Sequence, residues 1–221
     1  NNYMMGQHNR ATAGQGYHLV ESLNLSGRRR MLDLGGGAAS YSIALCAANP
    51  RLHSVVVDRK EPLVLAKALV QEQGLEDRIS LLEGDFNAIQ FGEEYDVVLI
   101  SGVVLIKSEE ECHSLFKLAY DVLVPGGLII VQDFMRVDHS SQRSFLDTMM
   151  DIYVLIAFDP DAGDRLGDEI AGWLRTAGFH SPEMIPLPTH LALILAHKPA
   201  AGESIDGPTA PRTRQFLTTE I

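Results

Sequence analysis

Short apolar runs alternate with helix-length amphipathic stretches along most of this chain. The runs are Met31-Leu32-Asp33-Leu34, Leu52 to Val57, Ile79 to Leu82, Tyr95 to Ile100 and Leu128 to Val131. Each is rich in Val, Ile or Leu, and most end at a turn signal. Runs of this kind, lacking polar alternation, are expected of parallel strands buried on both faces. Helical patterns lie between them: Tyr41 to Ala48, stopped by Asn49-Pro50; Pro62 to Gln73, stopped by Gly74; and Glu109 to Leu123, stopped by Pro125-Gly126-Gly127. Pro62 suits a first helical turn and the glycines suit C-terminal caps. A helix from about Asn9 to Leu23 precedes the first strand. The alternation predicts an α/β fold with a doubly wound, Rossmann-like sheet.

The order changes after the fifth strand. Two helical stretches follow, about Ser140 to Phe158 and Asp164 to Ala177, the second closed by Gly178. Two strand-like runs come next, Pro182 to Leu187 and Leu191 to His197, joined by Pro188-Thr189-His190. So short a connection makes an antiparallel hairpin. The expected sheet is therefore seven-stranded and mostly parallel, with an antiparallel C-terminal hairpin. Residues 1–28 form a helical lead-in, 29–198 the main domain, and 199–221 a tail, linker or arm that docks on a partner.

Composition narrows the function classes. The 221 residues suit one domain, and 46% hydrophobic with 21% charged residues is the make-up of an ordinary globule. No apolar stretch reaches the roughly 18–20 residues of a membrane span. A net charge of −11 argues against nucleic-acid binding, which needs a basic surface. Cys46 and Cys112 sit in apolar helical patterns, which argues against disulfides or a zinc site and for a reducing cytoplasm. The chain starts Asn1-Asn2-Tyr3-Met4, with neither an initiator Met nor a signal peptide, and reads as a piece of something longer.

The strongest local signal is Leu32-Asp33-Leu34-Gly35-Gly36-Gly37-Ala38-Ala39-Ser40, at the first strand-to-helix turn. Glycines there let the backbone approach a ligand closely. Gly35 and Gly37 fit a dinucleotide fingerprint, but Ser40 stands where its third glycine belongs. Asp33 would oppose a pyrophosphate and welcome an ammonium. That favours S-adenosylmethionine, with its α-amino group and sulfonium, over NAD. Asp58, 21 residues after Gly37, stands with Arg59 at the end of the second strand, where a carboxylate can accept both ribose hydroxyls. The plainer role is a helix N-cap. Asp85 in Glu83-Gly84-Asp85-Phe86 can accept from an adenine amino group while Phe86 lies against the ring. The plainer role is an Asx turn beside a core Phe.

These segments resemble the class I S-adenosylmethionine-dependent methyltransferases from about Tyr3 to Lys198. Within that class the chain is similar to the small-molecule O-methyltransferases, the group of the hydroxyindole, caffeate and bacterial natural-product enzymes. Asp33-Leu34-Gly35-Gly36-Gly37, Gly84-Asp85-Phe86, Pro125-Gly126-Gly127, Gln132-Asp133-Phe134, Asp159-Pro160 with Asp164-Arg165, Trp173-Leu174 and Ala177-Gly178-Phe179 carry the resemblance. It implies Asp33 and Gly35 near the methionine moiety, Asp58 on the ribose, and Asp85 and Phe86 on the adenine. Two departures are Ala39, where the family usually has Gly, and Ser101, where plant members often have Lys near the cofactor. The resemblance also implies a homodimer, although the N-terminal helical domain that makes it lies outside this chain.

The family usually supplies a catalytic His after the fourth strand. Anchoring Val104 to Cys112 on Ser108 and Cys112 puts Leu105 there, and Leu cannot take a proton. A phenol ionises only near about pH 10, so a base helps at neutral pH. Three explanations stand: an acceptor already anionic or carbon-centred, a replacement base, or chemistry other than methyl transfer, such as decarboxylation or a pericyclic reaction. His190 at the hairpin turn and Asp133 at the end of the fifth strand are the candidate replacements. Asp164 stands where the family has the Glu that orients the His. Met149, Met150 and Tyr153 on the helix after the fifth strand, with Leu105, are candidate walls of an acceptor pocket. Leu155 and Phe158 are further candidates, and Met4, Met5 and His8 would close the same pocket. No metal site is expected. The expected partner is a small-molecule acceptor, an aromatic or polyketide-like hydroxyl.

Overall fold

The computed structural model describes residues 2–92, 95–136, 145–158, 161–163, 165–202 and 212–213. Helical lead-in segments α1 (Asn2–Arg10) and α2 (Gly16–Glu21) open the chain. Five strands then alternate with helices: β1 (Arg30–Leu34), α3 (Ser40–Ala48), β2 (His53–Asp58), α4 (Lys60–Glu72), β3 (Ile79–Glu83), β4 (Tyr95–Ser101), α5 (Glu109–Val122) and β5 (Leu123–Asp133). After them come β6 (Met135–Arg136), α6 (Phe145–Ala157), β7 (Arg165–Leu166), α7 (Gly167–Thr176), β8 (His180–Pro186), β9 (Ala192–His197) and β10 (Arg212–Thr213).

The main sheet runs β10-β8-β9-β5-β4-β1-β2-β3. Strands β1 to β5 pair in parallel, and β9 runs antiparallel to both β5 and β8. The seven expected strands are thus present in the expected sense. The chain order reverses between β1 and β4, the crevice where open α/β sheets bind ligands at their carboxyl ends.

Alternate residues of the buried strands feed two cores, one on each face. Leu32, Leu34, Val98, Ile100, Ile129 and Val131 pack under α5 and α7 with Phe116, Trp173 and Leu174. Met31, Val97, Leu99, Leu128 and Ile130 pack under α3 and α4 with Ile43, Leu45 and Leu69. Burial on both faces explains why the strands read as continuous apolar runs. Ser108 begins α5 with a capping box, its side chain accepting from the Glu111 N–H while Glu111 accepts from the Ser108 N–H.

Several boundaries differ from expectation. The lead-in helix begins at residue 2 rather than about Asn9, with a wider turn at Ala11–Gln15 where Gly14 has φ 138°. Only glycine adopts that conformation cheaply, so one helical pattern becomes two segments with a kink. Pro125-Gly126-Gly127 stops α5 but lies inside β5, because Leu123 already pairs with Tyr95 across a register shift. The second late helix starts at Gly167 rather than Asp164, since Arg165 and Leu166 pair with Met135 and Arg136. In the tail, Arg212 and Thr213 add to the β8 edge opposite Glu183 and Met184. The rest of the tail beyond Gly202, Asp159-Pro160, Asp164 and the first part of the Ser140–Phe158 helix lie outside the described residues.

Candidate active site

The turn between β1 and α3 is built so that only small residues fit. Gly35 and Gly37 have φ of 73° and 56°. A Cβ on Gly35 would meet Val103 Cγ2 at 2.7 Å, and one on Gly36 would meet the Asp33 carboxyl carbon at 2.5 Å. Beside Gly37 lies the Met4 methyl of α1, and His8 Nδ1 is 3.0 Å from Ser40 Oγ. The lead-in helix therefore packs directly on the glycine turn. Ala39, fully buried, has φ 60°, a left-handed conformation that costs a residue with a Cβ about 1–2 kcal/mol.

Beneath this turn Asp33 is 1% exposed. Its Oδ2 accepts from Ser42 Oγ at 2.6 Å, and Ser42 Oγ lies 2.8 Å from Ser54 Oγ. Its Oδ1 has no hydrogen-bond partner among the described residues. Burial pushes the carboxyl up to about 7, opposed by the Ser42 hydrogen bond and reinforced by the Asp58 charge.

Asp58 ties the second strand to the same turn. Its Oδ2 accepts from the Gly37 N–H at 2.8 Å and its Oδ1 from the Arg59 N–H at 2.7 Å. Arg59 is the residue that precedes α4 and is exposed. Asp85 makes an Asx turn, its Oδ1 accepting from the backbone N–H and side-chain amide of Asn87. Phe86 is half-buried, with the Lys107 ammonium 5.7 Å from its ring centre. Lys107 was not singled out by sequence. It brings a cation to Phe86 from the loop after β4, whereas Ser101 ends β4 opposite Gln132.

Asp133 turns both of its carboxylate oxygens to backbone N–H groups. Its Oδ2 accepts from the N–H groups of Val104 and Leu105 at 2.9 and 3.2 Å, and its Oδ1 from Phe134 at 2.9 Å. Burial still outweighs these bonds and pushes it up to about 7. These bonds anchor the short 3-10 turn Val104–Ile106 and favour a positioning role for Asp133 over that of a replacement base. Leu105 in that turn is 5% exposed, and its carbonyl accepts from Gly163 N–H at 2.9 Å.

His190 lies exposed in the turn between β8 and β9. Ala192 pairs with Asp133, so this turn sits at the carboxyl rim, as its topology predicts. On α6, Met149 is 45% and Tyr153 41% exposed, and Leu155, Ile156 and, just beyond the helix, Phe158 are exposed as well. Val154 is the one buried side chain among those described on that helix. The Met150 side chain lies outside the described residues.

The structure thus joins Asp33, Gly35, Gly36, Gly37, Asp58 and Arg59 around one turn and adds Met4 and His8 to it. Sequence reasoning missed Tyr41, Ser42 and Gln132. The Tyr41 hydroxyl donates to Gln15 Oε1 at 2.9 Å. Burial pushes Tyr41 up to about 12, opposed by the Arg10 charge and reinforced by the charges of Asp133 and Asp33. The legible signal for Gln132 was a polar residue inside the buried run Ile129-Ile130-Val131. Among the described residues no group of three or more His, Cys, Asp or Glu is arranged for a metal, and no helix is long and apolar enough to cross a membrane.

Comparison with known proteins places this geometry in context. An O-methyltransferase domain matches residues 1–180. L-tyrosine C(3)-methyltransferase of Streptomyces lavendulae is 38% identical over 55% of this chain and 33% of its own length. The 3-hydroxy-5-methyl-1-naphthoate 3-O-methyltransferase of Streptomyces sahachiroi is 30% identical over 72% of this chain and 46% of its own. The crystal structure of the S-adenosylmethionine-dependent methyltransferase SibL in its apo form superposes with a TM-score of 0.76. It is 26% identical and covers 88% of this chain and 57% of that one. The chain spans between a third and a half of the length of these two curated relatives.

Proposed function

The chain belongs to the O-methyltransferase domain family, and on that premise we propose that it binds S-adenosylmethionine at the glycine turn and directs its methyl group to a small acceptor. The preferred acceptor is a hydroxyl of an aromatic or polyketide-like natural product. One observation carries the reading: Asp33 is buried under the glycine turn with one carboxylate oxygen unbonded among the described residues. A buried, half-satisfied carboxylate is costly unless a cationic group completes it. S-adenosylmethionine has such a group in its ammonium, so the residues present fit it.

The cofactor supplies an electrophilic methyl on a sulfonium. This chain supplies position and charge, the main contributions to a displacement of this type. Asp33 holds the amino group, the glycine turn admits close backbone approach, and Asp58 accepts from the ribose with the lone pairs that Gly37 and Arg59 leave. Asp85 and Phe86 take the adenine edge and face. The walls of the acceptor space are Leu105, Met149, Met150 and Tyr153. His190, on the rim, is the replacement base for the acceptor proton, because Leu105 cannot take it and Asp133 is held by backbone N–H groups.

Calorimetry with S-adenosylmethionine and S-adenosylhomocysteine tests the core of this reading. Micromolar binding supports it, and no binding at millimolar ligand overturns it. A second reading, methyl transfer to carbon, is favoured by the 38% identity to a tyrosine C(3)-methyltransferase and by the missing His. A carbon beside an ionised phenol needs no base at the reacting atom. Carbon-13 spectra of the methylated product separate the two readings. The reading extends to assembly as a homodimer, supported by the apolar exposed side of α6. It also extends to a reducing cytoplasm, supported by two free and buried cysteines.

A further inference from the structure

Gln132 is costly to keep as a purely structural residue. It sits near the carboxyl end of β5 and is 0% exposed. Its neighbours at alternate positions, Leu128 and Ile130, belong to the core under α3 and α4. So does Met31, the alternate neighbour of Asp33, so Gln132 and Asp33 share one face of the sheet. Neither the oxygen nor the nitrogen of its amide has a hydrogen-bond partner among the described residues, and Asp33 Oδ1 is in the same condition. A leucine at that position would bury as well without stranding a polar group.

Tyr41 does not resolve this. The Gln132 amide lies near enough to draw the phenol's pKa down, but without the geometry of a formed hydrogen bond. The hydroxyl hydrogen of Tyr41 is already given to Gln15. An amide offers two donors and an oxygen with two lone pairs, and one phenol oxygen can fill at most one donor. Two unpaired groups therefore face the same side of the sheet, on strands β1 and β5 that flank β4, with Gln132 one side-chain layer nearer the carboxyl rim than Asp33. One is a carboxylate oxygen, and the other is an amide that both donates and accepts. That set repels a plain anion through Asp33 and leaves an amide donor idle with a plain cation. It matches a group carrying an ammonium and a carboxylate together.

We propose that Gln132, with Asp33, recognises the amino-acid end of the cofactor, the amide N–H donating to its carboxylate and the amide oxygen accepting from its ammonium. The assignment rests on the cofactor reading above. The rival explanation is a structural water held between Gln132 and Tyr41.

Calorimetry with two ligands decides the matter. S-adenosylhomocysteine has the amino-acid end, and 5′-methylthioadenosine keeps the nucleoside and sulfur but lacks it. If the wild-type protein binds neither, the cofactor reading itself fails, which is a separate result. With wild-type binding established, Gln132→Leu should weaken S-adenosylhomocysteine about ten- to hundredfold and leave methylthioadenosine unchanged. Its ligand-free thermal midpoint should hold or rise, because two stranded polar atoms are gone. Equal weakening of both ligands, or unchanged S-adenosylhomocysteine affinity as the water explanation requires, overturns the proposal. Gln132→Met, of similar length and flexible, gives the same selective loss should the Leu variant fail to fold.

Discussion

Gly36 lies across the Asp33 carboxylate, so that a methyl group at position 36 would sit 2.5 Å from both Asp33 Cγ and Oδ2. The obstacle is a buried group fixed by Ser42, not the far end of a flexible side chain. Gly36→Ala should destabilise the fold by about 1–3 kcal/mol, the usual cost of overpacking. It should also remove S-adenosylhomocysteine binding. Gly172→Ala on α7 is the control, since nothing lies within 4 Å of a Cβ there. It should stabilise by about 0.5–1 kcal/mol. Urea unfolding of the two variants reads both signs.

Stability should fall as pH rises between about 4 and about 7. Asp33 and Asp133 are each pushed by burial from 3.8 up to about 7. A carboxyl raised in the folded state binds its proton more readily folded than unfolded. Its stabilising contribution is therefore complete below about 4 and lost as pH passes about 7. The charge of Asp58 pushes Asp33 the same way, and Tyr41 and Cys46 lie within its field. Binding an ammonium beside Asp33 demands the ionised form, so cofactor binding at pH 6 should expel a proton. Calorimetry in buffers of different ionisation heat measures the release, and Asp33→Asn should abolish it.

Asp133→Ala should unfold more easily rather than simply turn over more slowly. Removing the carboxylate strands the backbone N–H groups of Val104 and Leu105, and each buried orphan costs about 1–3 kcal/mol. A variant with wild-type stability and a collapsed kcat would restore Asp133 as a base.

His190→Ala should lower kcat while leaving S-adenosylhomocysteine affinity within about twofold. The residue is exposed in its turn, where substitutions usually shift stability by no more than about 0.5 kcal/mol. Unchanged turnover across pH 6 to 9 removes it from the mechanism.

The exposed side of α6 gives a prediction on assembly. Ile156 is 79% exposed. Ile156→Glu should leave the thermal midpoint of an isolated protomer unchanged and shift a self-associating sample toward monomer in sedimentation. An unchanged distribution would move the contact elsewhere.

The parts of the fold that the sequence reveals are those where one physical demand dominates. Strands such as Tyr95–Ser101 are buried on both faces, so a run of Val, Leu and Ile announces them without reference to neighbours. Asp33 and Gly35 to Gly37 are legible because few residue types tolerate that turn. Tyr41 is not, and Gln132 shows only as a polar residue closing an apolar run, since their meaning depends on which face of which strand meets which helix, a tertiary fact. Asp133 is ambiguous for a related reason. A carboxylate at a strand end suits catalysis and backbone capping equally, and only the structure adds the N–H groups of Val104 and Leu105 that favour capping. The kink at Gly14 was similarly hidden, because the amphipathic pattern runs through it.

The left-handed Ala39 limits how this loop can drift. Full burial excludes bulk at the position, and φ 60° excludes branched side chains even where there is room. A library randomised across residues 38 to 41 and selected for folded protein should return glycine and alanine at 39 while its neighbours vary. Alanine survives there because strain of about 1–2 kcal/mol is offset by a buried methyl worth roughly 0.8 kcal/mol and by the extra backbone entropy that glycine would forfeit on folding. The exchange is nearly level, so lineages can cross it in either direction by a single neutral step.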